Sequence, residues 1–221
     1  MTSSSSPTNP AIGRPTAGRV LTVVFLGPDG SGKSTVVERL SQELARGGWN
    51  SRICHLRPHW GRSFRGTAVT DPHGALPRNS LRSVAQLVWW LVDYRMSRLR
   101  MWVPDVRPRT VVLFDRYIYD VLVDRKRYRY GGPLWLARLA ARLSPEPDLV
   151  IVLEAPPPVL RSRKEEVELA ELERQVVAYA QLAGRVRSGY VVDANRPVDE
   201  VVAGVKNLIL AHGGHRERMS E

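Results

Sequence analysis

Short apolar runs rich in β-branched residues recur along the chain at 20–26, 51–56, 110–114, 149–153 and 190–192. Several are apolar almost without interruption, the mark of parallel strands buried on both faces. Between them, apolar residues return at three- and four-residue intervals over 34–46, 81–101, 133–143, 157–183 and 197–211, which predicts helices. In the first of these, Val36, Val37, Leu40 and Leu44 form one stripe, and Gly47-Gly48 stops it. Strand and helix alternate, so the expected fold is α/β: a doubly wound, five-stranded parallel sheet flanked by helices. No internal repeat is visible. The stretch 58–80 is rich in Pro, Gly and Arg and reads as a long loop, which in a compact domain is usually functional or mobile.

Ligands in such sheets bind at the carboxyl ends of the strands. The first run ends in GPDGSGKST, which fits G-x-x-x-x-G-K-[ST] from Gly27 to Ser34, the phosphate-binding P-loop. Its glycines allow consecutive backbone N–H groups to turn inward on an anion, and the following helix aims its positive end at the same point. Gly27, Asp29, Gly30, Ser31, Gly32, Lys33, Ser34 and Thr35 are therefore the candidate ATP site. Lys33 is expected to reach the β- and γ-phosphates, and Ser34 to ligate Mg²⁺. Asp29 is unusual in such a loop. Like charges repel, so its carboxylate is expected to point away from the donor phosphates.

Two other strand ends carry acids. VVLFDRY ends in Asp115, Arg116 and Tyr117, and VIVLEAPPP contains Glu154. An acid after four apolar residues resembles a Walker B pattern, which makes Asp115 the candidate second group for Mg²⁺. Glu154 reads equally well as an acid favoured before the helix start at Pro156-Pro157-Pro158.

Composition narrows the function classes. The single cysteine, Cys54, rules out an internal disulfide and suits a reducing cytoplasm. No apolar run approaches the ~20 residues of a membrane span. Residues 1–18 are Ser-, Pro- and Thr-rich and read as a disordered tail, 19–212 as one P-loop domain, and 213–221 as a second tail. The net charge of +11 invites a nucleic-acid reading. The arginines are dispersed, however, and small anionic substrates explain part of the charge more simply.

The paired motifs GPDGSGKST and FDRY resemble the thymidylate kinase family of P-loop nucleoside monophosphate kinases. PDLVIVLEAPPPVLRSR resembles that family's entry into a small helical lid, here about 157–172, and YVVDANRPVDEVV its last strand and helix. The resemblance implies ATP and Mg²⁺ as cofactors, small-molecule nucleotide substrates, and phosphoryl transfer to a nucleoside monophosphate, with dTMP giving dTDP as the leading case. A homodimer is a possible assembly. It implies that Asp29 faces the acceptor near its sugar 3′-hydroxyl. Arg95, twenty residues before Asp115, and Arg116 would grip the acceptor phosphate, with Arg57 as a third grip and Tyr117 beside them. Some relatives carry an arginine at the position of Gly30 and others use lid arginines. Here Arg161 or Arg163 would stabilise the transferred phosphoryl, and Arg163 joins Lys33, Asp115 and Arg116 as a catalytic candidate.

The chain departs from the family on the acceptor side. Leu91 stands where an aromatic residue would stack on the base, LRPHWGRSFRG replaces the family's Arg-Glu-Pro-Gly-Gly element, and DVLVDRKRYRYGGP is unusually basic and aromatic. Three functions stay open on sequence alone: a thymidylate kinase; a relative acting on another small anion, as in nucleotide-sugar or envelope metabolism; and a non-catalytic ATP-binding regulatory or nucleic-acid-associated protein.

Overall fold

A computed structural model of the chain describes residues 20–56, 79–100, 109–165 and 167–218. Arg57 and all but the end of the 58–80 loop lie outside the described residues. Five strands, β1 (Leu21–Leu26), β2 (Asn50–His55), β3 (Thr110–Asp115), β4 (Leu149–Glu154) and β5 (Gly189–Asp193), form one sheet in the order β2-β3-β1-β4-β5. Every neighbouring pair is parallel. The three inner strands are the apolar runs of the sequence; β2 and β5 are the edges and are more exposed.

Alternate residues of each inner strand supply opposite faces. Val23, Phe25, Leu113 and Ile151 pack against α1 (Lys33–Arg46) and α7 (Val198–Arg218). Val24, Leu26, Phe114 and Val152 pack against α2 (Ser80–Arg100), α4 (Leu134–Leu143) and α6 (Leu169–Arg185). This three-layer arrangement brings the carboxyl ends of all five strands to one edge.

The helices follow the predicted pattern with three differences. The run 157–183 is two helices, α5 (Pro157–Arg163) and α6, because Lys164 and Glu168 are extended and Val167 turns inward between Leu160 and Leu172. A short α3 (Asp120–Val123) follows β3, where no helix was expected. α7 continues to Arg218, past 211. The outer faces of α2 and α4 leave Leu81, Trp89, Val92, Trp135 and Leu139 exposed.

Phe25 is fully buried in the central strand. Phe25→Ala is expected to lower stability by about 3–5 kcal/mol through lost burial and the cavity left behind. Urea unfolding measures this, and a loss below about 1 kcal/mol would mean that β1 is not the packed centre of the sheet.

Candidate active site

The chain leaves β1 through Gly27 at φ 138°, a conformation open to glycine at little cost. Space forces the same choice, since a Cβ there would sit 2.4 Å from the Leu153 carbonyl oxygen of β4. Gly30, at φ 82°, is pressed against the lid helix, where a Cβ would lie 2.5 Å from the Leu160 oxygen. The arginine that some relatives carry at this point has no room here.

Lys33 is the first residue of α1 and is almost fully buried. Its ammonium folds back over the loop and donates to Gly27 O (2.8 Å), Pro28 O (2.7 Å) and Ser31 Oγ (3.0 Å). All three acceptors are uncharged. Burial, joined by the nearby Arg116 charge, pushes the Lys33 pKa down to about 7, against the pull of Asp29, Asp120 and Asp115. Ser34 and Thr35 stay exposed at the mouth of the loop.

Asp115 ends β3 beside Phe25 of β1 and His55 of β2. Its Oδ2 accepts a hydrogen bond from Ser34 Oγ at 2.7 Å and lies 3.4 Å from His55 Nδ1. Burial opposes its charge, but the His55 and Ser34 contacts and the Arg116 and Lys33 charges hold its pKa down at about 2. Its Oδ1 is buried with no hydrogen-bond partner among the described residues. A hydroxyl and an ionised carboxylate with one oxygen unused are a hard oxygen donor set, which fits Mg²⁺ shared with substrate phosphates.

On the other side of the loop, Asp29 is buried and faces cations. Arg116 Nη2 donates to its Oδ1 at 2.6 Å, Arg127 Nη1 donates to its Oδ2, and Lys164 Nζ lies 3.7 Å from the same oxygen. Burial would raise the Asp29 carboxyl, but the Arg116 and Arg127 charges hold it well below the ordinary range. Arg116 reaches it from a left-handed backbone at φ 83°, tied by its N–H to Phe25 O at 3.1 Å. Strain of this kind persists only where the surroundings enforce it. Behind Arg116 lies the fully buried Asp120, which accepts from the Tyr179 hydroxyl (2.7 Å) and the Tyr117 amide (2.9 Å) and sits 3.7 Å from Arg116 Nη1.

The structure brings together the loop residues, Lys33, Ser34, Asp115, Arg116 and Asp29. It does not bring Arg95 to them. α2 runs against the strands, so Arg95 near its end reaches the amino edge of the sheet and donates to Leu143 O from Nε (3.1 Å) and Nη2 (2.7 Å). There it borders a cavity of about 560 Å³ with Arg98, Arg142, Arg187 and the 144–148 segment leading into β4. Tyr117 is likewise not at the crevice: it is a core side chain packed edge-on against Phe114 and Tyr119 and at a tilt against Tyr94, and its hydroxyl donates to Pro145 O at 2.6 Å. Arg163 donates to Ala194 O at 3.2 Å, and Arg161 is exposed. Lys164 is the lid residue beside Asp29. Sequence reading did not assign Arg127, Lys164, Asp120 or His55 to the site; the signals available were the run DVLVDRKRYRYGGP, which holds Asp120 and Arg127, and the basic segment 160–164, which ends in Lys164.

The sequence profile of the thymidylate kinase family matches residues 25–205. A probable thymidylate kinase of Pyrobaculum aerophilum is 30% identical over 203 residues, covering 85% of this chain and 95% of its own. A probable thymidylate kinase of Pyrococcus abyssi is 27% identical over 205 residues (85% and 97%), and a thymidylate kinase of Staphylococcus haemolyticus 26% over 214 (85% and 96%).

The Lys33 environment carries a pH prediction. With its pKa near 7 in the free loop, Lys33 is largely neutral at pH 8. An anion seated in the loop restores the ordinary lysine range, so binding takes up a proton. Affinity for an ATP analogue is therefore expected to fall as pH rises above 7, by up to roughly tenfold per unit, with uptake approaching one proton at pH 8. Calorimetry in buffers of different ionisation enthalpy measures the uptake. Lys33→Met should remove it; no uptake by the native protein at pH 8 would mean that Lys33 is already charged.

Proposed function

The chain belongs to the thymidylate kinase family, and on that premise we propose that it transfers the γ-phosphoryl group of Mg-ATP to dTMP, giving ADP and dTDP. The observation that carries this is the Ser34–Asp115 hydrogen bond of 2.7 Å directly beside the buried Lys33. Phosphoryl transfer asks the protein for little covalent chemistry. It asks that two nucleotides be held in line and that charge on the moving group be neutralised.

In this reading, Gly27 to Thr35 wrap the donor phosphates with backbone N–H groups. The Lys33 ammonium exchanges its loop carbonyls for phosphate oxygens. Ser34 and Asp115 would hold Mg²⁺, which when bound would supply charge neutralisation on the donor phosphates. Arg116, already at the crevice, offers its guanidinium fork to phosphate. Arg161 and Arg163 reach the transferred group only if the lid moves, since Arg163 now bonds Ala194 O. A phosphate oxygen of dTMP attacks the γ-phosphorus, and the bond from that phosphorus to the bridging oxygen breaks, with the electron pair leaving on ADP.

A second reading keeps the chemistry and changes the acceptor. It is favoured by Arg95, which bonds Leu143 O rather than facing the crevice, and by Leu91 in place of a stacking aromatic. The exposed apolar faces of α2 and α4 support self-association as a homodimer. No described helix is long and apolar enough to cross a membrane; a cytoplasmic setting is proposed from the lone cysteine and the nucleotide chemistry. The dispersed charge supports small anions over nucleic acid.

The test is ADP release with Mg-ATP and a panel of nucleoside monophosphates and sugar phosphates. dTMP is expected to be turned over best. Asp115→Asn should lower kcat by about 10²–10³-fold with the fold intact by circular dichroism, the range for losing one preorganised electrostatic contact. ADP release with a sugar phosphate but not dTMP would replace the acceptor. Release with no acceptor at all, or an Asp115→Asn enzyme of native rate, would remove the kinase reading.

A further inference from the structure

The arginines at the amino edge of the sheet outnumber what the fold asks of them. Arg95 and Arg98 of α2, Arg142 from the last turn of α4 and Arg187 from the turn after α6 line one cavity of about 560 Å³. The helices α2, α4 and α6 end near it, and a helix C-terminus favours nearby cations. That preference is already met. Arg98 lies in the last turn of α2, Arg95 donates twice to Leu143 O at the end of α4, and Arg185 stands in the last turn of α6. Arg142 and Arg187 come in addition, and both are exposed. Among the described residues, Arg98, Arg142 and Arg187 make no ion pair.

The acids of the cavity do not cancel this charge. Asp148 is buried, and its Oδ2 accepts from Thr22 N at 2.8 Å, which commits it to β1. Glu146 is exposed and forms no ion pair among the described residues. Four guanidinium groups therefore face one uncommitted carboxylate. The wall they face is held in place. Segment 144–148 reads Ser-Pro-Glu-Pro-Asp, and its two prolines fix the backbone at φ. Ser144 Oγ donates to Ala140 O (2.8 Å), the Tyr117 hydroxyl donates to Pro145 O (2.6 Å), and Asp148 N donates to Thr22 O (2.9 Å). Ser188, which also lines the cavity, accepts from Val150 N at 2.9 Å. A ligand entering here has little backbone to order, which lowers the cost of binding. The volume lies in the range of small-molecule sites, about 300–1,000 Å³.

We propose that this cavity at the amino edge of the sheet is a second anion site, which takes a small molecule bearing a di- or triphosphate chain. Arginine forks suit phosphate oxygens, and a chain of phosphates can be met by guanidinium groups arriving from α2, α4 and the turn before β5. The six-residue strands β1 and β4 separate this edge from the P-loop by about 20 Å, so a ligand here is neither the donor nor the acceptor of the crevice. The site stands whether or not the crevice transfers phosphate to dTMP.

The test uses the full chain with its donor site filled by Mg²⁺ and a non-hydrolysable ATP analogue, titrated separately with pyrophosphate and dTTP. Pyrophosphate presents the phosphate chain alone, and dTTP presents it on a nucleoside. Binding is expected to slow hydrogen exchange across 142–148. The paired variant Arg142→Gln, Arg187→Gln is expected to weaken binding about tenfold or more, through two lost charged hydrogen bonds on exposed side chains. Arg46→Gln, an exposed arginine at the end of α1, is the control and should bind like the native chain. Affinity for the ATP analogue should be unchanged in both variants. Slowed exchange with dTTP alone keeps the site and makes the nucleoside part of its ligand; slowed exchange with both probes makes the phosphate chain sufficient. Native affinity in the paired variant, an equal loss in Arg46→Gln, or unchanged exchange across 142–148 with both probes overturns the site. If the paired variant melts far below the native chain, Arg187→Gln alone decides, because Arg187 lies outside every described helix.

Discussion

The crevice depends on the parallel register that sets Phe25 of β1 beside Asp115 of β3. In that register the strand after Phe25 has one further residue, Leu26, before the loop opens, while β3 ends and turns. The Arg116 N–H completes the register by donating to Phe25 O. One ladder therefore delivers Asp115 to the Ser34 side of the P-loop and Arg116 to the Asp29 side. A slip by one residue would send the core side chains to the wrong face of the sheet and would part both pairs. The Ser34–Asp115 and Asp29–Arg116 pairs share a single backbone origin, which explains why the best-buried strands lead directly into this cluster of charged side chains.

Burying this many charges is tolerable only because each is answered locally. Lys33 meets carbonyls, Asp115 meets Ser34 and His55, and Asp29 meets arginines. The answers are unequal. Lys33 has neutral partners and sits near pH 7, whereas Asp115 and Asp29 are held ionised. The crevice therefore holds its acids charged and its loop lysine partly discharged. Asp120 and Tyr179 support this from below, fixing the back of Arg116 without reaching the crevice themselves.

The lid is joined to the loop by close packing rather than by a long interface. Gly30 lies against the Leu160 backbone, and Lys164 lies near Asp29. α5 and its C-capping residue thus meet the loop at two neighbours, one in steric contact and one electrostatic. The break between α5 and α6 gives the short helix its independence, while Val167 keeps it attached to the Leu160–Leu172 cluster.

What the sequence determined by itself was whatever depends on neighbours along the chain. Glycine spacing, strand periodicity and an acid at the end of an apolar run are local, so the five strands, the P-loop, Ser34 and Asp115 were legible. Helical periodicity was legible too, but not the interruption at 164–168, because Val167 turns inward for a tertiary contact that no local pattern encodes. Tertiary structure alone decided which distant side chains meet. The twenty residues from Arg95 to Asp115 say nothing of which sheet edge the arginine reaches, and antiparallel packing of α2 carries it to the amino edge. Tyr117 adjoins Arg116 in sequence, yet successive residues leaving a strand point opposite ways, so one entered the crevice and the other the core. Arg127 and Lys164 are 98 and, by the same loop residue, more than a hundred positions from Asp29, and only the folded chain supplies the buried carboxylate that gathers them.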